Sequence, residues 1–272
     1  MKSPVAIVGL VLIALLGFAA IFGPWLAPHD PDALDLGGSL YGPSAGHLLG
    51  QDELGRDLAS RLVIGARASA LVGLVVILVS VVIGTLVGLV AGYLGGMVDQ
   101  VVMRIVDVLL AFPGILLAIA IAGILGPSLG NVIFALSILG WTGFARLVRG
   151  QVLTLREREF VLAAQSYGAS TPRILWRHVL PNVVAPVLVQ ATFGMASVIL
   201  AEASLSFLGL GPQDVPTWGA MLSSGVDYML FAPHLSLAPG VAIMLTVLAF
   251  NFLGDALRDR LDPRSTAAPQ LL

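Results

Sequence analysis

The chain has 272 residues, of which 57% are hydrophobic and only 11% are charged. Soluble globular chains carry about a quarter charged residues, so this composition excludes an ordinary water-soluble fold. Cysteine is absent, which excludes disulfides and thiolate metal sites, and the net charge of −2 is uninformative until the charges are placed along the chain.

Six apolar segments predict six transmembrane helices in an all-α membrane protein. They run approximately over Val5–Leu26, Ala70–Leu94, Ile105–Leu125, Asn131–Val148, Val183–Leu208 and Ala238–Leu257. The first segment could also be a cleaved signal peptide, because Lys2 precedes it. Its apolar run is longer than a typical signal core, and Pro28 is poorly placed for cleavage after Ala27, so we expect a permanent span.

The two longest connections on one side of the predicted membrane differ in character. The first, from Ala27 to about Ser69, is rich in acidic residues, Pro and Gly, and predicts a small ordered loop with one short helix through Leu58–Ile64. The second, Gly209–Leu237, carries three aromatic side chains that favour the headgroup level of a membrane. These are Trp218, Tyr228 and Phe231.

The second span carries small residues at every fourth position, on one face of the helix. They are Ser80, Gly84, Gly88, Gly92 and Gly96. Small side chains at this spacing let two helix backbones approach closely, so we expect tight packing against another helix. The alternative is that the stripe lines a pore.

The placement of Lys and Arg predicts that both termini lie in the cytoplasm. With the N-terminus inside, eleven basic residues fall in cytoplasmic segments and three in outer segments. The eleven are Lys2, Arg104, Arg146, Arg149, Arg156, Arg158, Arg173, Arg177, Arg258, Arg260 and Arg264, and the three are Arg56, Arg61 and Arg67.

The stretch 146–182, between the fourth and fifth spans, is too polar for lipid and predicts a helical hairpin in the cytoplasm. Gln151–Tyr167 has good helix formers, and Gly168 suits the left-handed residue that ends a helix. Ser170 or Thr171 can cap a second short helix, which we expect to end at Leu180-Pro181. A plain solvated connector is the alternative, and the balanced charge argues against nucleic-acid binding.

The hairpin resembles the coupling loop of ABC importer permeases, whose pattern runs Glu-Ala-Ala, then Gly four residues later, then Leu-Pro. Here Ala163-Ala164, Gly168 and Leu180-Pro181 match that pattern, while Leu162 replaces the usual glutamate. Glu159, one turn earlier on nearly the same face, is a candidate substitute. The resemblance implies that the hairpin docks into a groove on a separate ATPase subunit.

Further segments resemble the C-type permeases of the dipeptide, oligopeptide and nickel importers. The matching runs are His47-Leu48-Leu49-Gly50-Gln51-Asp52-Glu53-Leu54-Gly55-Arg56-Asp57, Ala91-Gly92-Tyr93, Leu110-Ala111-Phe112-Pro113, Ala201-Glu202-Ala203-Ser204-Leu205-Ser206-Phe207-Leu208-Gly209 and Gly254-Asp255-Ala256-Leu257-Arg258-Asp259. The resemblance implies a type I ABC importer permease fold in a prokaryotic cell membrane. It also implies three kinds of protein partner: a B-type permease, two ATPase subunits and an extracytoplasmic solute-binding protein.

The same resemblance implies peptide import, with nickel, glutathione or opine-like solutes as alternatives. It divides the chain into a first helix with its outer loop (1–65), a permease core (66–260) and a short cytoplasmic tail (261–272). A secondary transporter is a more distant alternative. Such proteins usually carry repeated broken helices with several intramembrane charges, a pattern that this sequence fits poorly.

No catalytic constellation is present, so we expect a transport subunit rather than an enzyme. The sequence lacks a Gly-x-x-x-x-Gly-Lys-Ser/Thr phosphate loop, and the resemblance assigns ATP hydrolysis to the partner subunits. The four histidines (His29, His47, His178 and His234) are scattered along the sequence, so we expect no metal site and no bound cofactor.

Glu202 is the one acidic residue well inside a predicted span. A carboxylate facing lipid is costly, so we expect it to face protein or water. It could contact a substrate amine or a gating partner, or it could make a structural hydrogen bond to a neighbouring helix or the outer loop. Arg104 and Asp107, three residues apart, predict an ion pair at the end of the third span.

Overall fold

The computed structural model describes residues 4–261, and apart from one isolated bridge between Gln51 and Asp57 its regular structure is helical. Lys2, Arg264 and nearly all of the predicted tail lie outside that range. The helices are α1 (Pro4–Leu26), α2 (Leu58–Leu94), α3 (Gly96–Ala111), α4 (Gly114–Leu125), α5 (Leu129–Leu155), α6 (Glu159–Ser166), α7 (Thr171–Ile174), α8 (Leu180–Phe207), α9 (Trp218–Asp227) and α10 (His234–Leu261). A 3-10 turn covers Leu36–Gly38, and a π turn at Leu175–Val179 joins α7 to α8.

Five segments are long and apolar enough to cross a membrane: α1, α2, α5, the continuous run from α7 through α8, and α10. The predicted third span is the exception, because α3 and α4 meet at 85°. Phe112 has an extended backbone at the break, since the residue before a proline disfavours the helical region, and Pro113 has no N–H to donate. The predicted third span is therefore broken at Phe112-Pro113, and the bent pair adds a sixth span to the five only if it crosses the membrane as one unit.

Helix α2 begins at Leu58, so the predicted short helix and the predicted second span are one element. Its first turn is capped by Asp57, whose Oδ2 accepts hydrogen bonds from the Ser60 N–H at 2.8 Å and the Ser60 hydroxyl at 2.7 Å. No proline interrupts the helix afterwards, so it continues to Leu94.

The small-residue face of α2 packs against α5, the most extensive helix contact in the described chain. A Cβ atom placed on Gly84, Gly88 or Gly92 would lie 2.5, 2.6 or 3.1 Å from a backbone carbonyl oxygen of α5. Ser80 is buried at the same interface. Gly96 does not belong to this face: α2 ends before it, and it opens α3 with a φ of +54° and no close neighbour.

Ion pairs attach α3 to α5. The guanidinium of Arg149 binds both carboxylate oxygens of Asp99, with Nη2 2.6 Å from Oδ2. Asp107 accepts a hydrogen bond from Arg146 at 2.6 Å instead of pairing with Arg104, so the predicted pair within α3 is wrong. Arg146, on the neighbouring helix α5, provides the cation that Asp107 pairs with.

Helix α9 packs on α8 and α10. Trp218 is buried, and its indole N–H donates to the Leu62 carbonyl of α2 at 2.8 Å. Phe231, by contrast, is 85% exposed. Of the aromatic residues expected at headgroup level, Trp218 therefore lies inside the protein.

Candidate functional site: the hairpin between α5 and α8

The first arm of the hairpin is a separate helix. The sequence predicts one helix over Gln151–Tyr167, but α5 ends at Leu155 and α6 begins at Glu159 after an extended Arg158. The turn lets Val161 join the buried cluster that contains Val152 of α5. Burying Val161 contributes more free energy than continuing the helix through the charged segment between Leu155 and Glu159, which has no apolar side chain to bury.

The turn at the tip of the hairpin has the geometry of a Schellman motif. The Gly168 N–H donates to the Gln165 carbonyl at 2.9 Å, and the Ala169 N–H reaches back to the Ala164 carbonyl at 3.0 Å. Gly168 has a φ of +77°, which confirms the predicted left-handed residue.

The second arm runs into the membrane helix without a break. Ser170 precedes α7, although its side chain makes no capping bond. The prediction that the arm ends at Leu180-Pro181 is wrong, because the wider π turn passes directly into α8 and the Leu180 N–H bonds to the Leu175 carbonyl, five residues back. A π turn can accommodate Pro181, which has no N–H for the helical ladder.

The inner face of the hairpin is fixed to the membrane helices. Val161, Ile174 and Val179 are buried in one cluster with residues of α2, α5 and α8, and Ala164 packs against that cluster. The Gln165 side-chain amide donates to the Tyr93 hydroxyl at 3.1 Å. The hairpin therefore forms one body with the ends of α2, α5 and α8.

The outer face of the hairpin is apolar and exposed. Tyr167 is 92% exposed, Phe160 and Leu162 are each more than two-fifths exposed, and Ala163 is exposed between them. Glu159 is exposed and makes no ion pair within residues 4–261. The matched alanines thus point in different directions, with Ala163 outward and Ala164 inward. Phe160 and Tyr167 were not predicted from the sequence. The feature that could have indicated them is an aromatic side chain on a helix too short to bury both of its faces.

An exposed apolar face on a hairpin fixed to membrane helices is the kind of surface that can receive another protein. Residues 81–267, more than half of the chain, match the model of the binding-protein-dependent transport system inner membrane component family. The chain belongs to this family. Residues 1–43 also match the N-terminal transmembrane domain of oligopeptide transport permease C. The family accounts for the all-helical fold and makes the chain a multi-pass membrane component of an ABC transport system.

Close relatives of this permease carry transport names. It is 48% identical over 264 residues to the dipeptide transport system permease protein of Alkalihalophilus pseudofirmus, covering 97% of this chain and 87% of that protein. It is also 48% identical over 265 residues to the glutathione transport system permease protein of Shigella flexneri serotype 5b, covering 97% and 88%. These names describe transport subunits, not enzymes.

Glu202 of the permease is fully buried in α8. Its Oε2 accepts a hydrogen bond from the Ser69 hydroxyl of α2 at 3.0 Å, and its Oε1 accepts one from the Ser206 hydroxyl at 2.7 Å. The carboxyl group therefore faces protein and joins two membrane helices. Within the described residues, no aqueous cavity of this chain reaches it.

The loop between α1 and α2 is an ordered network of polar contacts. Arg56 bonds to Asp52 at 2.6 Å and to Glu53 at 3.0 Å. Burial raises the pKa of Asp57, but hydrogen bonds from Ser60 and His47 outweigh that effect, so the pKa of Asp57 lies below its ordinary value and the carboxylate is ionised.

Two of the four histidines lie together in this loop. The rings of His29 and His47 stack with centroids 4.6 Å apart. Histidines that are scattered along the sequence are thus brought together in this pair, which removes the reason for expecting no metal site here. The loop folds back on itself and brings the two positions to the same end of α2.

Proposed function

We propose that this chain is one of two pore-forming permease subunits of an ATP-driven importer for short peptides. The observation that carries the proposal is the exposed apolar outer face of a hairpin whose inner face is part of the membrane-helix core. Such a face can receive a partner, and its rigid attachment can pass a movement to the membrane helices. The family match supports the same role.

The proposed transmission follows from the continuity of the helices. An ATPase subunit docks on Phe160, Ala163 and Tyr167, and its movement on ATP binding displaces the hairpin. Because α7 continues through the π turn into α8, and Val161 holds α6 on α5, the displacement reaches two membrane helices together. A second, B-type permease forms the other wall of the pathway, and alternating access follows from movement of the two halves.

Short peptides are the proposed solute because a dipeptide permease is among the close relatives. Glutathione, itself a peptide, is the second candidate, on the equal identity to a glutathione permease. In this proposal an extracytoplasmic binding protein delivers the solute, so the permease supplies the path and only part of the selectivity.

The proposed orientation places both termini and the hairpin in the cytoplasm of a prokaryotic cell. The eleven-to-three bias of basic residues supports it. Reporter fusions at Asp35 and at Gln270 should give opposite sidedness. The same sidedness at both positions would contradict this topology.

The transport proposal is tested in proteoliposomes. This chain is co-expressed with the partner permease, ATPases and binding protein of the same organism, and uptake of a labelled dipeptide is measured with and without internal ATP. We expect ATP-dependent uptake that unlabelled dipeptide competes away. Competition by glutathione alone would transfer the assignment to the second candidate, and no ATP-dependent uptake of either would contradict the proposal.

A further inference from the structure

We propose that His29, His47 and Asp57 form a binding site for a zinc-like divalent cation in the loop between α1 and α2. The His47 Nδ1 lies 2.9 Å and the His29 Nδ1 lies 3.7 Å from the same carboxylate oxygen, Asp57 Oδ1. All three ligand atoms lie within 4.8 Å of one another. The inference concerns this loop alone and is independent of the transported solute.

The distances suit a small cation between the three groups. Two ligands bound to Zn²⁺ at about 2.0–2.1 Å and a tetrahedral angle lie roughly 3.3 Å apart, a value that the two observed separations bracket. The His29 Nδ1 is too far from Asp57 Oδ1 for a hydrogen bond, yet near enough to share a metal with it.

The carboxylate is already oriented for this task. Its Oδ2 is occupied by the N–H and hydroxyl groups of Ser60, while its Oδ1 faces the two imidazoles and is hydrogen-bonded to the His47 Nδ1, whose proton a bound cation would replace. Outer hydrogen bonds of this kind fix metal ligands in proteins. The backbone N–H of His29 also donates to the Ser60 hydroxyl at 3.0 Å, which holds the chain after α1 against the start of α2.

The donor set selects the class of cation. Two imidazole nitrogens and one carboxylate oxygen suit Zn²⁺ and other late first-row divalent ions, whereas Mg²⁺ and Ca²⁺ prefer oxygen donors. The segment 27–57 carries six acidic residues against one arginine, which favours a cation over an anion. The His29 side chain is 42% exposed, so a cation can reach the site from solvent.

A bound cation would cross-link three points of the chain. His29 follows α1, His47 lies in the middle of the loop, and Asp57 caps α2. The cation would therefore hold the loop closed over the end of α2, which makes protection of the loop from proteolysis a second readout besides binding.

The test uses the assembled importer, purified through a tag without histidine and freed of metal with a chelator. Zn²⁺ and Mg²⁺ are titrated by calorimetry into wild type, His29→Ala, His47→Ala and His178→Ala. His178 is half-buried in the π turn, far along the sequence from the loop, and serves as the histidine control. We expect one Zn²⁺ per copy of this chain, no comparable Mg²⁺ binding, wild-type affinity in His178→Ala, and affinity at least about tenfold weaker in the other two variants.

His29→Ala keeps the proposal falsifiable if His47→Ala assembles poorly, because the Ser60 contact of His29 uses its backbone N–H and survives the substitution. Zn²⁺ should slow proteolysis of the loop in wild type and leave the rate unchanged in His29→Ala. Absence of stoichiometric Zn²⁺ binding, or equal Zn²⁺ affinity in wild type and His29→Ala, would contradict the proposed site.

Discussion

Gly88 of α2 lies so close to α5 that a Cβ atom on it would sit 2.6 Å from the Ala145 carbonyl oxygen. Non-bonded carbon and oxygen atoms do not approach that closely, so any side chain at this position must push the two backbones apart. Close contact along this face supplies much of the dispersion attraction that holds helices together where no hydrophobic effect acts between them.

We therefore predict that Gly88→Leu reduces the amount of folded, assembled permease. Overpacking of a filled interface costs about 1–3 kcal/mol, and here the obstacle is backbone that cannot rotate away. The measurement is the yield and melting temperature of the purified complex. Gly150→Leu on α5 is the matched control, because nothing lies within 4 Å of a Cβ added there. Equal behaviour of the two variants would contradict a packing role for the glycine face.

A second prediction concerns Glu202. Its two serine partners, Ser69 and Ser206, are almost completely buried. Glu202→Gln keeps polar atoms for both hydroxyl groups, whereas Glu202→Leu leaves both without that partner, at about 1–3 kcal/mol for each buried group left unsatisfied. We expect Glu202→Gln to express and transport nearly as wild type and Glu202→Leu to lose assembled protein. Equal loss of transport in both variants at normal protein levels would instead assign Glu202 a role that needs its charge.

A third prediction compares the two ion pairs between α3 and α5. Asp99 is mostly buried and binds the Arg149 guanidinium through two hydrogen bonds, while Asp107 and Arg146 are both more than half exposed and share one. Bidentate, partly desolvated pairs are stronger than exposed single contacts. We expect Asp99→Asn to lower the free energy of unfolding by about 1–2 kcal/mol and Asp107→Asn to change it by less than about 0.5 kcal/mol. Thermal unfolding of both purified variants measures the two losses of stability. A larger loss in Asp107→Asn than in Asp99→Asn would contradict this prediction.

The sequence was sufficient where one physical signal dominates. Long apolar runs predict spans because lipid demands them, and the four-residue spacing of Gly84, Gly88 and Gly92 predicts a face that can only be filled by another helix. Gly168 was predictable for a similar reason, since few other residues adopt its backbone conformation at little cost.

The sequence failed where two local effects compete. Phe112-Pro113 bends the third span by 85°, whereas Leu180-Pro181 leaves its helix continuous. Both are proline dipeptides in apolar surroundings. They differ because a π turn leads into Leu180-Pro181, and the composition of the segment does not predict that turn. The other contacts could not be predicted because their residues are far apart in the sequence. His29 lies beside His47, and Asp107 beside Arg146, only because of how the loop folds and the helices pack.

The two matched alanines of the hairpin differ as sites for a test of docking. Ala164 packs against the buried cluster, so a bulky charge there would disturb the hairpin itself, whereas Ala163 lies on the exposed outer face. Ala163→Arg should therefore insert and fold normally. Thr154→Arg, at an exposed position of α5 outside α6, is the control for added charge.

If the outer face docks on an ATPase subunit, Ala163→Arg places a long cationic side chain between Phe160 and Tyr167, one turn after Glu159. Its bulk holds a partner away from the apolar face, and docking would also strip water from the charge, at a cost of several kcal/mol that can reverse a moderate docking energy. We expect Ala163→Arg to keep the second permease but to lose most of the bound ATPase and solute-stimulated ATP hydrolysis, while Thr154→Arg retains both. Because the variant leaves the inner face and the α8 connection intact, wild-type ATPase retention and hydrolysis in Ala163→Arg would mean that the partner does not use this face.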